Sequence, residues 1–126
     1  MNGRNLLLDS NIIIYLAQKK LLPDDFILPD DRLFVSDISL METLGYAFSD
    51  PTEQQETEAL LGVLVRLPIA DAVVMKVIGI RQSRRMKLPD AIIAVSALLS
   101  DCTVVTRNVS DFAGIEGLEV LNPFEG

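Results

Sequence analysis

The sequence predicts an α/β fold: a three-layer sandwich with a central parallel sheet and helices on both faces. Three observations predict it. Short apolar runs recur along the chain, each ends at a polar pair or triplet, and a stretch with helical apolar spacing follows. Strands that alternate with helices run parallel and are covered on both sides, so they read as continuous hydrophobic runs. At 126 residues, the chain suits one domain, residues 1–126, around one core.

The first unit is Leu6-Leu7-Leu8, a buried strand, followed by Asp9-Ser10-Asn11 and a helix through Ile12, Ile13, Ile14, Tyr15 and Leu16, with Ser10 or Asn11 as its cap. Residues 20–32 hold Pro23, Pro29 and two aspartate pairs, which makes a loop or a broken short helix around Phe26-Ile27-Leu28. Leu33-Phe34-Val35 is the second strand. After Ser36-Asp37 comes a helix with an apolar stripe of Ile38, Met41, Leu44, Gly45 and Phe48, and Glu42 lies at its border.

Asp50-Pro51-Thr52 interrupts the chain, and the spacing predicts a helix from Glu53 to Arg66 that packs through Leu60, Leu61, Leu64 and Val65. Leu67 to Ala70 is a linking or strand segment, and Asp71 reads as the N-cap of a helix through Ile80. Leu88-Pro89-Asp90 opens a helix, with proline in its first turn. The following residues, 91–99, are apolar nearly all round, so that helix is buried on most sides. Cys102 to Thr106 is a strand, Arg107 to Phe112 a loop or helical turn, and Leu118 to Leu121 the last strand before Asn122-Pro123.

Hydrophobic residues make up 49% of the chain and mean hydropathy is +0.33, too apolar for disorder. No apolar run reaches the length of a membrane span. The Met1-Asn2-Gly3-Arg4 start lacks the pattern of a signal peptide. A single cysteine, Cys102, allows no internal disulfide, which suits a reducing cytoplasm. A net charge of −7 and a pI near 4.4 argue against a broad nucleic-acid surface. A local one is compatible with Arg81, Arg84, Arg85 and Lys87 before Asp90, and with Arg107. These cations also suit a solvated helix face, but their nearness to two carboxylates favours phosphate.

Four acids, Asp9, Glu42, Asp90 and Asp111, each sit beside a segment expected to be buried, and the chain has no histidine. In open parallel sheets, ligand sites form beyond the carboxyl ends of the strands, and all four acids fit that end. Singly, each has a plainer reading: Asp9 ends a strand, and Asp90 favours a helix N-terminus by about 0.3 to 1 kcal/mol. Together they read as the oxygen cage of a divalent metal. Unit charges about 5 Å apart repel by roughly 0.8 kcal/mol in water and about 3 at a protein's effective dielectric, so such a cluster protonates or holds a cation. Oxygen ligands without His or Cys select a hard ion, Mg²⁺ or Mn²⁺. Phosphodiester hydrolysis by metal-activated water fits this set.

These residues resemble the PIN-domain ribonucleases, and among them the VapC-type toxins of bacterial toxin-antitoxin pairs. The resemblance is carried by Leu7-Leu8-Asp9-Ser10-Asn11 through Leu16, Ser39-Leu40-Met41-Glu42 with Gly45, and Leu88-Pro89-Asp90-Ala91-Ile92-Ile93-Ala94. It continues in Val105-Thr106-Arg107-Asn108 with Asp111-Phe112, and in Gly117-Leu118 to Asn122-Pro123. It implies a PIN-like fold and a metal-dependent endoribonuclease in which Asp9, Glu42, Asp90 and Asp111 hold Mg²⁺ or Mn²⁺. Thr106 would bond a metal water or an acid, Asn11 would support the Asp9 loop, and Arg84, Arg85 and Arg107 are expected to guide the RNA backbone. The resemblance further implies a homodimer held inactive by a VapB-type antitoxin. The stretch from Lys19 to Asp31 matches no family motif.

Other readings compete. A PIN domain that processes RNA without an antitoxin has the same acids, and a catalytically inactive PIN fold used for binding would not need all four. A receiver-type phosphoacceptor domain also has an acidic Mg²⁺ pocket and a strand-end threonine. It would want an acidic pair after strand one and a lysine after the last strand, where this chain has Asn122-Pro123-Phe124.

Overall fold

The structure is a computed structural model that describes residues 3–45 and 47–125. Met1 and Asn2 of the amino-terminal start lie outside the described residues.

The chain runs β1 (Asn5–Leu8), α1 (Ser10–Ala17), β2 (Arg32–Ser36), α2 (Asp37–Leu44), α3 (Pro51–Gly62), β3 (Val65–Leu67), α4 (Asp71–Ser83), α5 (Leu88–Leu99), β4 (Thr103–Val105) and β5 (Val120–Leu121). The strands form one parallel sheet in the order β3-β2-β1-β4-β5. The chain starts in the middle, builds outward through β2 and β3, then crosses back to β4 on the other side of β1. The direction of winding reverses between β1 and β4, where a crevice opens at the carboxyl ends.

Side chains alternate across the sheet. Leu7, Phe34 and Val104 face a core with α4 and α5 residues Val73, Val77, Ile92, Ile93 and Val95. Leu6, Leu8, Val35 and Val105 face a second core with Ile12, Ile13 and Leu61 from α1 and α3. Both faces are covered, as the sequence predicts. α5 is the most enclosed helix, buried without a break from Ala91 to Ala97.

Several local expectations differ. The helix expected to reach Arg66 stops at Gly62, and Val65 starts β3, where it is 53% exposed. Pairing of Phe34 with Val65 on the sheet edge wins over helical periodicity. On α2 the buried residues are Ser39 and Thr43, while Met41 and Leu44 are exposed. Thr43 donates its hydroxyl to the Ser39 carbonyl at 2.7 Å, and the half-buried Ile38 and Leu40 pack against the two cores beside them. Asp71 lies within the first turn of α4, and Ala70 is the N-cap. Asp9 caps α1 instead of Ser10 or Asn11. In the proline-broken stretch, Pro23–Asp25 forms a single 3-10 turn and Phe26 is buried against the α1 core.

Candidate active site

Asp9 directly follows the central strand. Its backbone N–H still bonds Val105 O across to β4, at 3.0 Å, while its backbone turns out of the sheet into α1. Only 8% exposed, its carboxylate is held at both oxygens. Oδ1 accepts the Ser10 N–H at 2.7 Å, and Oδ2 accepts the Thr106 hydroxyl at 2.9 Å. Thr106 is fully buried just past β4, and its own oxygen accepts the Asn108 N–H at 3.0 Å. The Asp9–Thr106 bond therefore spans the crevice between β1 and β4. Each carboxylate oxygen retains lone-pair capacity beyond these bonds.

Burial pushes the Asp9 carboxyl above its ordinary range; Thr106 and Ser10 oppose that, and Glu42 and Asp111 add to it. Asp90 stands half-buried in the first turn of α5. Its carboxyl is likewise raised, by burial first, then by Asp111 and Asp9, with Lys87 opposing and Glu42 adding a little. Glu42 and Asp111 thus lie within electrostatic reach of both Asp9 and Asp90.

Glu42 is exposed on α2, and its Oε1 lies 2.7 Å from Ser10 Oγ, which is also 3.0 Å from Ser39 Oγ. A serine hydroxyl has one proton. Given to the carboxylate, it leaves Ser39 as the donor in the second bond. Sequence reasoning gives Ser10 only as a possible helix cap and Ser39 only as part of a motif, with no site role for either, although Ser10 stands beside Asp9 and Ser39 one helical turn before Glu42. Asp111 is exposed in a 3-10 turn, Val109–Phe112, anchored by Phe112 at 2% exposure. Asn11 is exposed on α1; the bonds that hold Asp9 come from Ser10 and Thr106.

Among the described residues, no three acidic, histidine or cysteine side chains stand close enough together to hold a metal ion as they are. The donors themselves, carboxylates with hydroxyl neighbours, fit a hard divalent cation, which would favour the ionised forms that burial first, and neighbouring acids second, disfavour at Asp9 and Asp90.

The three expected cationic contacts have different settings. Arg84 donates from Nη2 to Ala113 O at 2.9 Å, tying the start of the α4–α5 connection to the loop after Asp111. Arg84 and the exposed Arg85 also border a groove of about 820 Å³ lined by Val73, Val74, Val77, Ile78, Met86 and Leu88. Arg107 lies over Phe124, 4.6 Å from the ring centroid, and 5.7 Å from that of Tyr15.

A family profile described as PIN domain matches residues 6–117. No curated protein matches the sequence significantly. Among solved structures, a chain of a toxin-antitoxin complex from Klebsiella pneumoniae is 32% identical, with a TM-score of 0.73 over 94% of this chain and 97% of that one. A chain of VapBC-1 from nontypeable Haemophilus influenzae is 27% identical, with a TM-score of 0.74 over 95% of this chain and 98% of that one. A chain of DNA-bound VapBC from Salmonella typhimurium, 23% identical, shares the fold with a TM-score of 0.78 over 98% of this chain and 99% of that one.

Proposed function

Because the chain belongs to the PIN-domain family, we propose that it is a Mg²⁺- or Mn²⁺-dependent endoribonuclease and the toxin of a type II toxin-antitoxin pair, acting in the cytoplasm. One observation carries the reading: Asp9 and Asp90, on different elements, have carboxyls raised by burial and by the same neighbouring acids at the carboxyl end of the sheet. That is the electrostatic condition of a cation site made of oxygens.

Asp9 and Asp90 would be the principal ligands, with Glu42 and Asp111 completing the set. When bound, the ion supplies activation of water for attack on phosphorus and stabilisation of charge on the leaving oxygen. The chain's own part is placement. Thr106 and the Ser10 N–H fix both oxygens of Asp9, so the ligand lone pairs have one orientation. The Ser10 hydroxyl holds one oxygen of Glu42, Oε1. With no histidine in the sequence, no imidazole serves as general base.

An antitoxin partner is supported by the 32% identity to a chain of a toxin-antitoxin complex. The groove along α4 suits the apolar face of an inhibitory segment whose acidic residues meet Arg81, Arg84 and Arg85. A homodimer belongs to the same reading, tested by sedimentation of the free protein. A cognate partner that binds without lowering cleavage would remove the toxin assignment and leave the nuclease.

The test of the activity uses purified protein freed of any partner. Single-stranded RNA is cut with Mg²⁺ or Mn²⁺ and left whole in EDTA, and Asp9→Asn or Asp90→Asn abolishes cutting with the fold retained. Metal-independent cleavage, or full activity in both variants, would refute the mechanism.

A further inference from the structure

We propose that Arg107 and Phe124, braced by Tyr15, form a stacking platform for one unpaired base of the RNA beside the acid pocket; this rests on the ribonuclease reading above. Arg107 directly follows Thr106, the residue whose hydroxyl holds Asp9, so the platform begins about 3.8 Å along the backbone from the pocket wall. Phe124 follows β5, which runs parallel to β4, and so emerges at the same end of the sheet. Tyr15 meets Phe124 edge to face, with centroids 5.2 Å apart and planes at 81°. The chain thus brings three remote residues to one spot.

Their exposure and pairing point to a ligand. Arg107 is exposed and Phe124 is 37% exposed. In a chain of net charge −7, Arg107 forms no ion pair among the described residues. Its guanidinium instead stands over two rings. A phosphate contact needs only charge, which lysine supplies as well. A guanidinium held by rings also presents a planar surface, and unpaired bases stack on arginine planes and aromatic rings.

The test measures binding of short single-stranded RNAs to the Asp90→Asn protein in Mg²⁺, with one base at a time removed to leave the sugar-phosphate. Base–aromatic stacking predicts a loss of about tenfold or more at one position. That position-specific loss vanishes in Phe124→Leu and in Arg107→Lys, while Arg107→Lys keeps the salt dependence. Should Phe124→Leu melt early, Arg107→Lys alone decides. The platform is overturned if no position is sensitive, if RNA does not bind, or if the loss persists in Arg107→Lys. Wild-type cleavage is scored separately. Cutting without a sensitive position removes the platform and spares the nuclease, and base-sensitive binding without cutting does the reverse.

Discussion

The two ends of β1 hold buried aspartates with opposite fates. At its start, Arg4 grips Asp31 from Nη2 to Oδ2 at 2.6 Å, and its own backbone N–H bonds Oδ1 at 3.0 Å. The Asp31 side chain is 1% exposed, yet the hydrogen bond from the Arg4 side chain, helped by backbone donors, draws its carboxyl down to about 2. At the other end, Asp9 is nearly as buried and has two hydrogen-bond donors but, among the described residues, no arginine or lysine partner, and its carboxyl goes up. Burial opposes ionisation at both ends, and the partner decides the outcome. Asp31 is compensated by a cation of the fold itself, whereas Asp9 is held by neutral donors.

The largest effect that sharpens this contrast comes from neutralising the acid end. Asp9→Asn keeps a good helix cap and removes a disfavoured charge, so the metal-free protein should melt no lower than wild type. Cleavage should fall by about a thousandfold or more, as several kcal/mol of charge stabilisation is lost. Melting curves and initial rates on the same preparation check both halves. A variant that loses stability along with activity would make Asp9 a structural residue.

Next in size is Thr106→Val, which keeps shape and removes the hydroxyl on Asp9. Outer-shell partners of metal ligands are worth about 10- to 100-fold in metal affinity or activity. A Mg²⁺ titration of the rate should shift by that factor, and Thr106→Ser should restore it. Equal titrations in all three proteins would mean that the bond only seals the crevice.

How much of this was legible in the sequence follows from the range of each interaction. The strand–helix alternation is local, and the apolar runs at Leu6-Leu7-Leu8 and Thr103-Val104-Val105 sufficed for the central sheet. Asp9 and Thr106 are 97 residues apart, and only the strand order makes them neighbours. Elements decided by context were misread. Met41 and Leu44 have the spacing of a core stripe, but α2 buries Ser39 and Thr43 and packs Ile38 and Leu40 half-buried against the two cores. Val65 fits a helix by period and goes to the sheet edge because Phe34 offers pairing. The stack of Tyr15, Arg107 and Phe124 joins three separate elements and leaves no local pattern.

At the opposite end, Arg4→Ala should leave cleavage per folded molecule unchanged and lower stability. It leaves the Asp31 carboxylate with backbone donors alone, from residue 4 and Leu28, and frees the Phe26 carbonyl, which accepts from Arg4 Nη2 at 2.7 Å. Loss of hydrogen bonds to a charged group costs about 1.5 to 3 kcal/mol, reduced by the partial exposure of Arg4. Urea midpoints measure it. An altered metal dependence in this variant would show that the two ends are coupled.

The smallest effect is the pH profile of stability, where the two ends pull in opposite directions. Asp31 has a folded value of about 2, below the unfolded value of about 3.9. Its contribution is present above about pH 4 and is lost as pH falls toward 2, amounting to about 1 kcal/mol once solvent screening at Arg4 is allowed for. Asp9 and Asp90 have folded values above the unfolded one, so their ionised forms oppose folding. Their penalty is greatest near neutral pH and is relieved as pH falls through the folded values toward about 4. Without metal, stability should therefore rise slightly from neutral to about pH 4 to 5 and then fall. With Mg²⁺ bound, the ionised carboxylates are favoured and the rise should disappear. Urea midpoints that decline steadily from pH 7 in EDTA would show that the acid end carries no unrelieved charge, and the contrast between the two aspartates would then have no consequence for the fold.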